Sequence, residues 1–206
     1  MGKKLKDLYK EQTRAAIINA AREMFNKYGY ENSTLDEVAE LAGLSKAALY
    51  NYFKNKETLF VSMMQETFDD LIDELCRALE KSDDPIEQCR MLFQTQIEQA
   101  QKMLPITITN VAYVMTQLDV KEMKQRFRGL VQKLYDQIYR VIENGKEKGS
   151  ISKKHDSGHL VILILTLLSG AGKMRMVFGM EPDQVYCDSV IDVFFHGVKG
   201  DKNNDT

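Results

Sequence analysis

Lys46, Ala47, Tyr50, Asn51 and Lys54 fall on one face of a short helical segment, while Leu49 and Phe53, four residues apart, fall on the other. A water-facing helix normally carries long, well-solvated side chains. This one turns out alanines, a tyrosine, an asparagine and lysines, a set that suits contact with another surface. The lysines supply point charges for phosphate or guanine. The Asn51 amide carries a donor and an acceptor side by side, the pattern that pairs with adenine. Tyr50 and Tyr52 offer hydroxyl donors while their rings pack on a scaffold. Ala47 and Ala48 let a backbone approach closely, and an alanine methyl fits against a thymine methyl. Thr34 and Lys56 stand at expected helix N-termini, where free N–H groups and the helix dipole favour a phosphate.

No other chemistry has comparable support. His155, His159 and His196, with Cys76, Cys89 and Cys187, show neither H-x-x-x-H nor C-x-x-C spacing, so no metal site is expected. There is no nucleophile–base–carboxylate pattern and no glycine-rich phosphate loop, and the chain is expected neither to be an enzyme nor to need a cofactor.

The elements that must hold the reading face follow from helical periodicity. Apolar residues recur at helical spacing nearly throughout, and the alternation of strands joined by Asn-Gly or Asp-Gly turns is missing. The fold class is all-α. A first helix is expected from about Lys10 to Tyr28, closed by Gly29. Thr34 with Glu37 forms a capping box for a second helix. Gly43 breaks it, and Ser45 caps a third. Helix, glycine-containing turn and helix make a helix-turn-helix, whose second helix enters the major groove with residues near its N-terminus on base edges. Asn55 caps a fourth helix, Lys56 to about Glu80. Asp84-Pro85 and Glu181-Pro182 look like helix starts, and a long helix is expected from about Val120 to Glu147.

Composition bounds the rest. The 206 residues carry 28 Lys+Arg and 30 Asp+Glu, ordinary for a globular protein with ample core. Three scattered cysteines fit a reducing cytosol, and a cytoplasmic location is expected. The longest apolar stretch, Leu160 to Gly172, is too short to span a bilayer, so no membrane is expected as a partner. Residues 1–56 hold 10 Lys+Arg against 7 Asp+Glu, so the basic balance sits where a polyanion would bind. Lys3, Lys4, Lys6 and Lys10 suit either an arm reaching a groove or a solvated start. Nine of the 11 methionines follow residue 56, which fits both core filling and an adaptable pocket.

The run RAAIINAAREMFNKYGYENSTLDEVAELAGLSKAALYNYFKNKETLF resembles the N-terminal domain of the TetR family of bacterial transcriptional regulators, with AAREMF, KYGY, STLDEVAELAGLSK, ALYNYF and NKETLF in order and at family spacing. ENGKEKGSI resembles a common ending of the family's seventh helix. The resemblance implies about nine helices: a three-helix DNA-binding domain, 10–56, and a helical ligand-binding and dimerisation domain, 57–200. It places DNA contacts on Thr34, Lys46, Ala47, Tyr50, Asn51, Tyr52 and Lys56. Asn51 departs from the aromatic or histidine common there, which leaves the base preference open. The family also implies an inducer pocket, and the candidates to line it are Met64, Cys89, Phe93, Gln96, Tyr113, Met115, Phe127 and Leu134. Leu160, Leu163, Leu167, Val190, Ile191 and Phe194 are too apolar for water on the last two helices and are expected to bury a two-fold interface, with Gly170 allowing close approach.

The expected function is therefore a homodimeric regulator of a palindromic double-stranded operator, a repressor released by a small apolar or aromatic ligand. The alternative is a helical DNA-binding dimer used for assembly or nucleoid organisation without an inducer.

Overall fold

The computed structural model describes residues 2–102, 121–170, 174, 178–180 and 183–198. Its extended elements are eight helices: α1 (Gly2–Tyr28), α2 (Leu35–Leu41), α3 (Lys46–Tyr50), α4 (Lys56–Leu79), α5 (Pro85–Lys102), α6 (Lys121–Glu147), α7 (Ser157–Leu168) and α8 (Gln184–Val198). The described residues contain no strand, and the fold is all-α as expected. The expected count was about nine. Pro105, Tyr113 and Met115 lie outside the described residues, as does the Glu181-Pro182 pair.

The helix starts are those the short polar side chains dictate. Thr34 and Glu37 close a reciprocal capping box on α2, and Ser45 Oγ accepts from the Ala48 N–H on α3. Asn55 Oδ1 accepts from the Thr58 N–H at 2.8 Å, and Asp84 Oδ1 from the Ile86 N–H at 2.8 Å. Two expected bounds change. The first helix begins at Gly2, not near Lys10, so Lys4, Lys6 and Lys10 sit on exposed helical turns. The third, expected over 45–53, ends at Tyr50, because Asn51 is already its C-cap.

The chain forms two compact units. The first takes the described residues up to Phe68, with 121–123. Its core gathers Ile17, Ala21 and Phe25 of α1, Val38 of α2, Leu49 and Phe53 around α3, and Leu59, Phe60, Met63 and Met64 of α4. Phe25, Tyr30 and Phe60 meet as a ring cluster with centroids 4.9–5.6 Å apart.

The second unit takes residues 69–102 and those from 124 onward. Leu75 and Leu79 of α4, Cys89, Leu92 and Phe93 of α5, Leu134, Ile138 and Ile142 of α6, Leu160, Val161 and Ile164 of α7, and Ile191 and Phe194 of α8 share its core. Polar ties rim it. Lys133 Nζ donates to Asp73 at 2.7 Å, and Arg126 pairs with Asp69. Lys146 Nζ donates to the His155 carbonyl at 2.6 Å and to Ser157 Oγ, which joins the end of α6 to the start of α7.

Gly145 fixes how closely α6 meets its neighbours. A Cβ there would lie 2.5 Å from Ile151 Cδ1, 2.8 Å from Ile151 Cγ1 and 3.1 Å from Pro85 Cβ. Ile151 is fully buried and has nowhere to retreat. Gly145→Ala should therefore destabilise the fold by about 1–3 kcal/mol through overpacking. Gly129, on the same helix, has open space around it, and Gly129→Ala should stabilise by up to about 1 kcal/mol. Urea unfolding of both variants checks this, and a Gly145→Ala as stable as wild type would refute the packing account.

Candidate nucleic-acid interface

The reading face is built by burying its opposite side. Leu49 has no solvent exposure and Phe53 little, while Lys46, Ala47, Tyr50, Asn51 and Lys54 are exposed. Tyr52 is half-buried and packs against the first core, so its ring is scaffold, as expected. Thr34 is exposed beside its capping partner.

Charges on this surface are held in definite places. Lys46 Nζ donates to Asp36 Oδ2 at 2.6 Å, linking the start of α3 to α2. The Asp36 carboxylate holds the Lys46 ammonium charged, above the ordinary lysine value. Both partners are exposed and the pair is screened by solvent, so a phosphate or base edge can take the place of Asp36 at small cost. Arg14 of α1 pairs with Glu66 of α4, and its guanidinium lies 5.6 Å from the centre of the Phe53 ring.

Lys56 differs from its expected role. Its N–H group is at the start of α4, but its ammonium turns back to the chain after α1. It donates to the carbonyls of Tyr30 at 2.8 Å, Ser33 at 3.1 Å and Glu31 at 3.3 Å. It also stands 4.4 Å from the centre of the Tyr30 ring. Sequence spacing gave no signal for these contacts, nor for Arg14 with Glu66, because the partners are 23 to 52 positions apart.

The expected ligand-lining residues do not all come together. Met64 is buried in the first core, since the opening turns of α4, Phe60 among them, pack on Phe25 of α1. Cys89, Phe93 and Leu134 meet in the second core. Gln96 is half-buried on α5, and Phe127 is 37% exposed on α6. Burial pushes the Cys89 thiol up to about 12, so it stays a neutral, apolar side chain.

On the last two helices the expected interface residues divide by face. Leu160, Ile191 and Phe194 are buried, whereas Leu163 is 46% exposed. Leu160, Leu163, Leu167, Tyr186, Val190, Val193 and Phe194 line an apolar groove of about 520 Å³ between α7 and α8. A Cβ on Gly170 would lie 2.7 Å from the Tyr186 hydroxyl, so the glycine permits a close approach within one chain.

This geometry is that of a helix-turn-helix with an exposed second helix. Residues 17–63 match the family model of bacterial regulatory proteins, tetR family. The N-terminal helix-turn-helix unit is therefore that of the tetR family of bacterial regulatory proteins. The HTH-type transcriptional regulator TtgR of Pseudomonas putida is 28% identical over 165 residues, 78% of each chain. Two solved structures share the fold at 19% identity, each aligned over 89% of this chain and 98% of the other: FadR from Bacillus subtilis in complex with stearoyl-CoA (TM-score 0.67) and AibR in complex with isovaleryl coenzyme A and operator DNA (TM-score 0.66). No described helix is long and apolar enough to cross a membrane.

The capping box under the reading face carries a pH dependence. Glu37 accepts from the Thr34 hydroxyl at 2.7 Å and the Thr34 N–H at 2.8 Å, which hold its carboxyl below the ordinary glutamate value. A depressed folded-state pKa gives stability that is complete above the unfolded value and is lost as pH falls through the folded one. The gap in melting temperature between wild type and Glu37→Gln should therefore close as the pH is taken down through that range. A gap independent of pH would remove the assignment.

Proposed function

We propose that this regulator is a homodimeric repressor that a small, mostly apolar ligand releases from a palindromic operator. Residues 10–56 form the DNA-binding head and 57–200 the ligand-binding and dimerisation part. The observation that carries the reading is the exposed face of α3, presented by a helix whose other face is buried.

In this mechanism α3 lies in the major groove. Asn51 reads a base edge and Ala47 allows close approach. Lys46 and Tyr50 reach base or phosphate, Tyr52 braces the helix, and Thr34 with the Lys56 N–H group meets the phosphate backbone. Two such heads bind half-sites one helical turn apart, about 34–36 Å. A ligand that binds better to a splayed dimer shifts the population towards it, and the heads no longer match the two grooves. Cys89, Phe93, Gln96 and Leu134 are the described candidates for its pocket. Met64 is buried in the first core and Phe127 is exposed on α6, while Tyr113 and Met115, outside the described residues, stay in the candidate set. Acyl chains, as in the stearoyl-CoA and isovaleryl coenzyme A complexes of the fold-sharing regulators, are one apolar class to screen.

Selection of bound sequences from random DNA tests the reading directly. It should return a palindrome. Asn51→Ala should then relax preference at one position per half-site, worth about 1–3 kcal/mol, with the rest of the profile kept. An unchanged profile would remove the base contact.

Assembly is tested separately. The groove between α7 and α8 and the exposed Leu163 and Val193 are assigned to the two-fold interface, which should bury at least roughly 2,000 Å² in total if obligate. Val193 is 74% exposed in the single chain, so Val193→Glu should not harm the fold of a protomer. It should nevertheless turn a sedimenting dimer into a monomer. Wild-type protein that sediments as a monomer at micromolar concentration would refute the interface.

A further inference from the structure

We propose that the Lys56 side chain is a positioning residue for DNA binding, not a phosphate contact. Its ammonium locks the turn between α1 and α2 onto the start of α4, so that Thr34 and the first N–H groups of α4 meet one DNA backbone together. The proposal rests on the DNA-binding reading above.

The ammonium has three donors, and the structure gives it three acceptors: the carbonyls of Tyr30, Glu31 and Ser33. They follow directly on the C-terminus of α1, where the helix dipole also favours a cation. The Tyr30 ring closes another side at 4.4 Å and is itself held between Phe25 and Phe60. The side chain is half-buried, unlike Lys46 and Lys54.

Short side chains hold the carbonyls just before these. Ser33 Oγ serves the carbonyls of Gly29 at 2.7 Å and Met24 at 3.3 Å, and Asn32 Nδ2 that of Tyr28 at 3.1 Å. Lys56 takes the carbonyls of Tyr30, Glu31 and Ser33, of which Tyr30 also accepts from the Ser33 N–H at 3.4 Å. Thr34 follows Ser33 by one residue, so whatever fixes the Ser33 carbonyl fixes the N-cap of α2. Lys56 is itself the first residue of α4. One side chain thus sets the separation of two phosphate-facing helix starts. To reach a phosphate, the ammonium would have to abandon three carbonyls and a ring.

The two roles differ in salt dependence. A lysine on a phosphate releases counterions, and its loss lowers the slope of log affinity against log salt by about 1. A lysine that aligns neutral donors does not. The test uses the full chain and a duplex selected from random DNA. Lys56→Met keeps the stem and removes the donors. It should weaken binding about 10-fold, the scale of one lost charge-assisted bond, with the salt slope unchanged. Lys56→Gln keeps two N–H donors without charge and should recover part of the affinity. A slope reduced by about 1 in both variants, with no recovery by glutamine, overturns the proposal. So does full affinity in Lys56→Met. If Lys56→Met does not fold, the slope of Lys56→Gln decides alone. Wild-type protein that enriches no sequence at all would instead sink the DNA-binding reading on which the proposal stands.

Discussion

Burial of Leu49 is the constraint on which the interface depends. Helix α3 has five residues, far fewer than an isolated helix needs in water. It persists because Leu49 and Phe53 lie in a core with α1, α2 and α4, and because Ser45 satisfies its first turn. What α3 presents outward is therefore set by what it hides inward. A one-residue slip would take Leu49 out of the core and turn Ala48 or Tyr50 into it. Neither fits: alanine would leave a void, and tyrosine would need a buried partner for its hydroxyl. The reading face is rigid because its alternative registers are poor.

The polar contacts around this core follow the same logic at larger separation. Arg14 links α1, the Phe53 ring and Glu66, so a helix two positions before the reading helix braces its end. Lys56 does the same for the turn before α2. In both cases the charged head lies over an aromatic ring and meets fixed acceptors. Aromatic rings next to cations make the first unit less tolerant of small displacements than apolar packing alone, because a shift costs both contact and charge pairing.

Local signals made much of this legible from the sequence. Thr34, Ser45, Asn55 and Asp84 act within three residues of themselves, so pattern alone reveals their caps. Leu49 and Phe53 repeat at helical spacing, so the buried side of α3 was readable too. Long-range contacts were not. That Lys56 turns towards residues 30–33 depends on how α4 docks on α1, which no spacing rule specifies. Met64 illustrates the other limit. As a methionine on a long amphipathic helix it suits any core, and only the packing of Phe25 and Phe60 places it in the first one. Phe127 carried the same ambiguity: its helical stripe is apolar, but the stripe is buried only from Leu134 onward, where α6 meets α4, α5 and α7.

Helices α7 and α8 pose a separate problem, since each has more apolar surface than one core can use. Leu160, Val161, Ile164 and Leu168 face inward on α7, while Ile162 and Leu163 are about half exposed. On α8, Ile191 and Phe194 are buried while Val185 and Val193 lie open. A helix apolar around most of its circumference belongs in the centre of a larger assembly or in a membrane. Among the described residues the membrane fails on length, because the 12 residues of α7 rise only about 18 Å against a hydrocarbon core of about 30 Å. Single exposed apolar residues need no explanation, but a contiguous groove lined by Leu163, Leu167, Val190 and Val193 does. Its lining has almost no charge to satisfy, so a partner needs shape and apolar surface more than matched ions. A second copy of the same two helices would offer both, and a self-complementary contact about a two-fold axis would use the surplus on each chain to cover the surplus on the other.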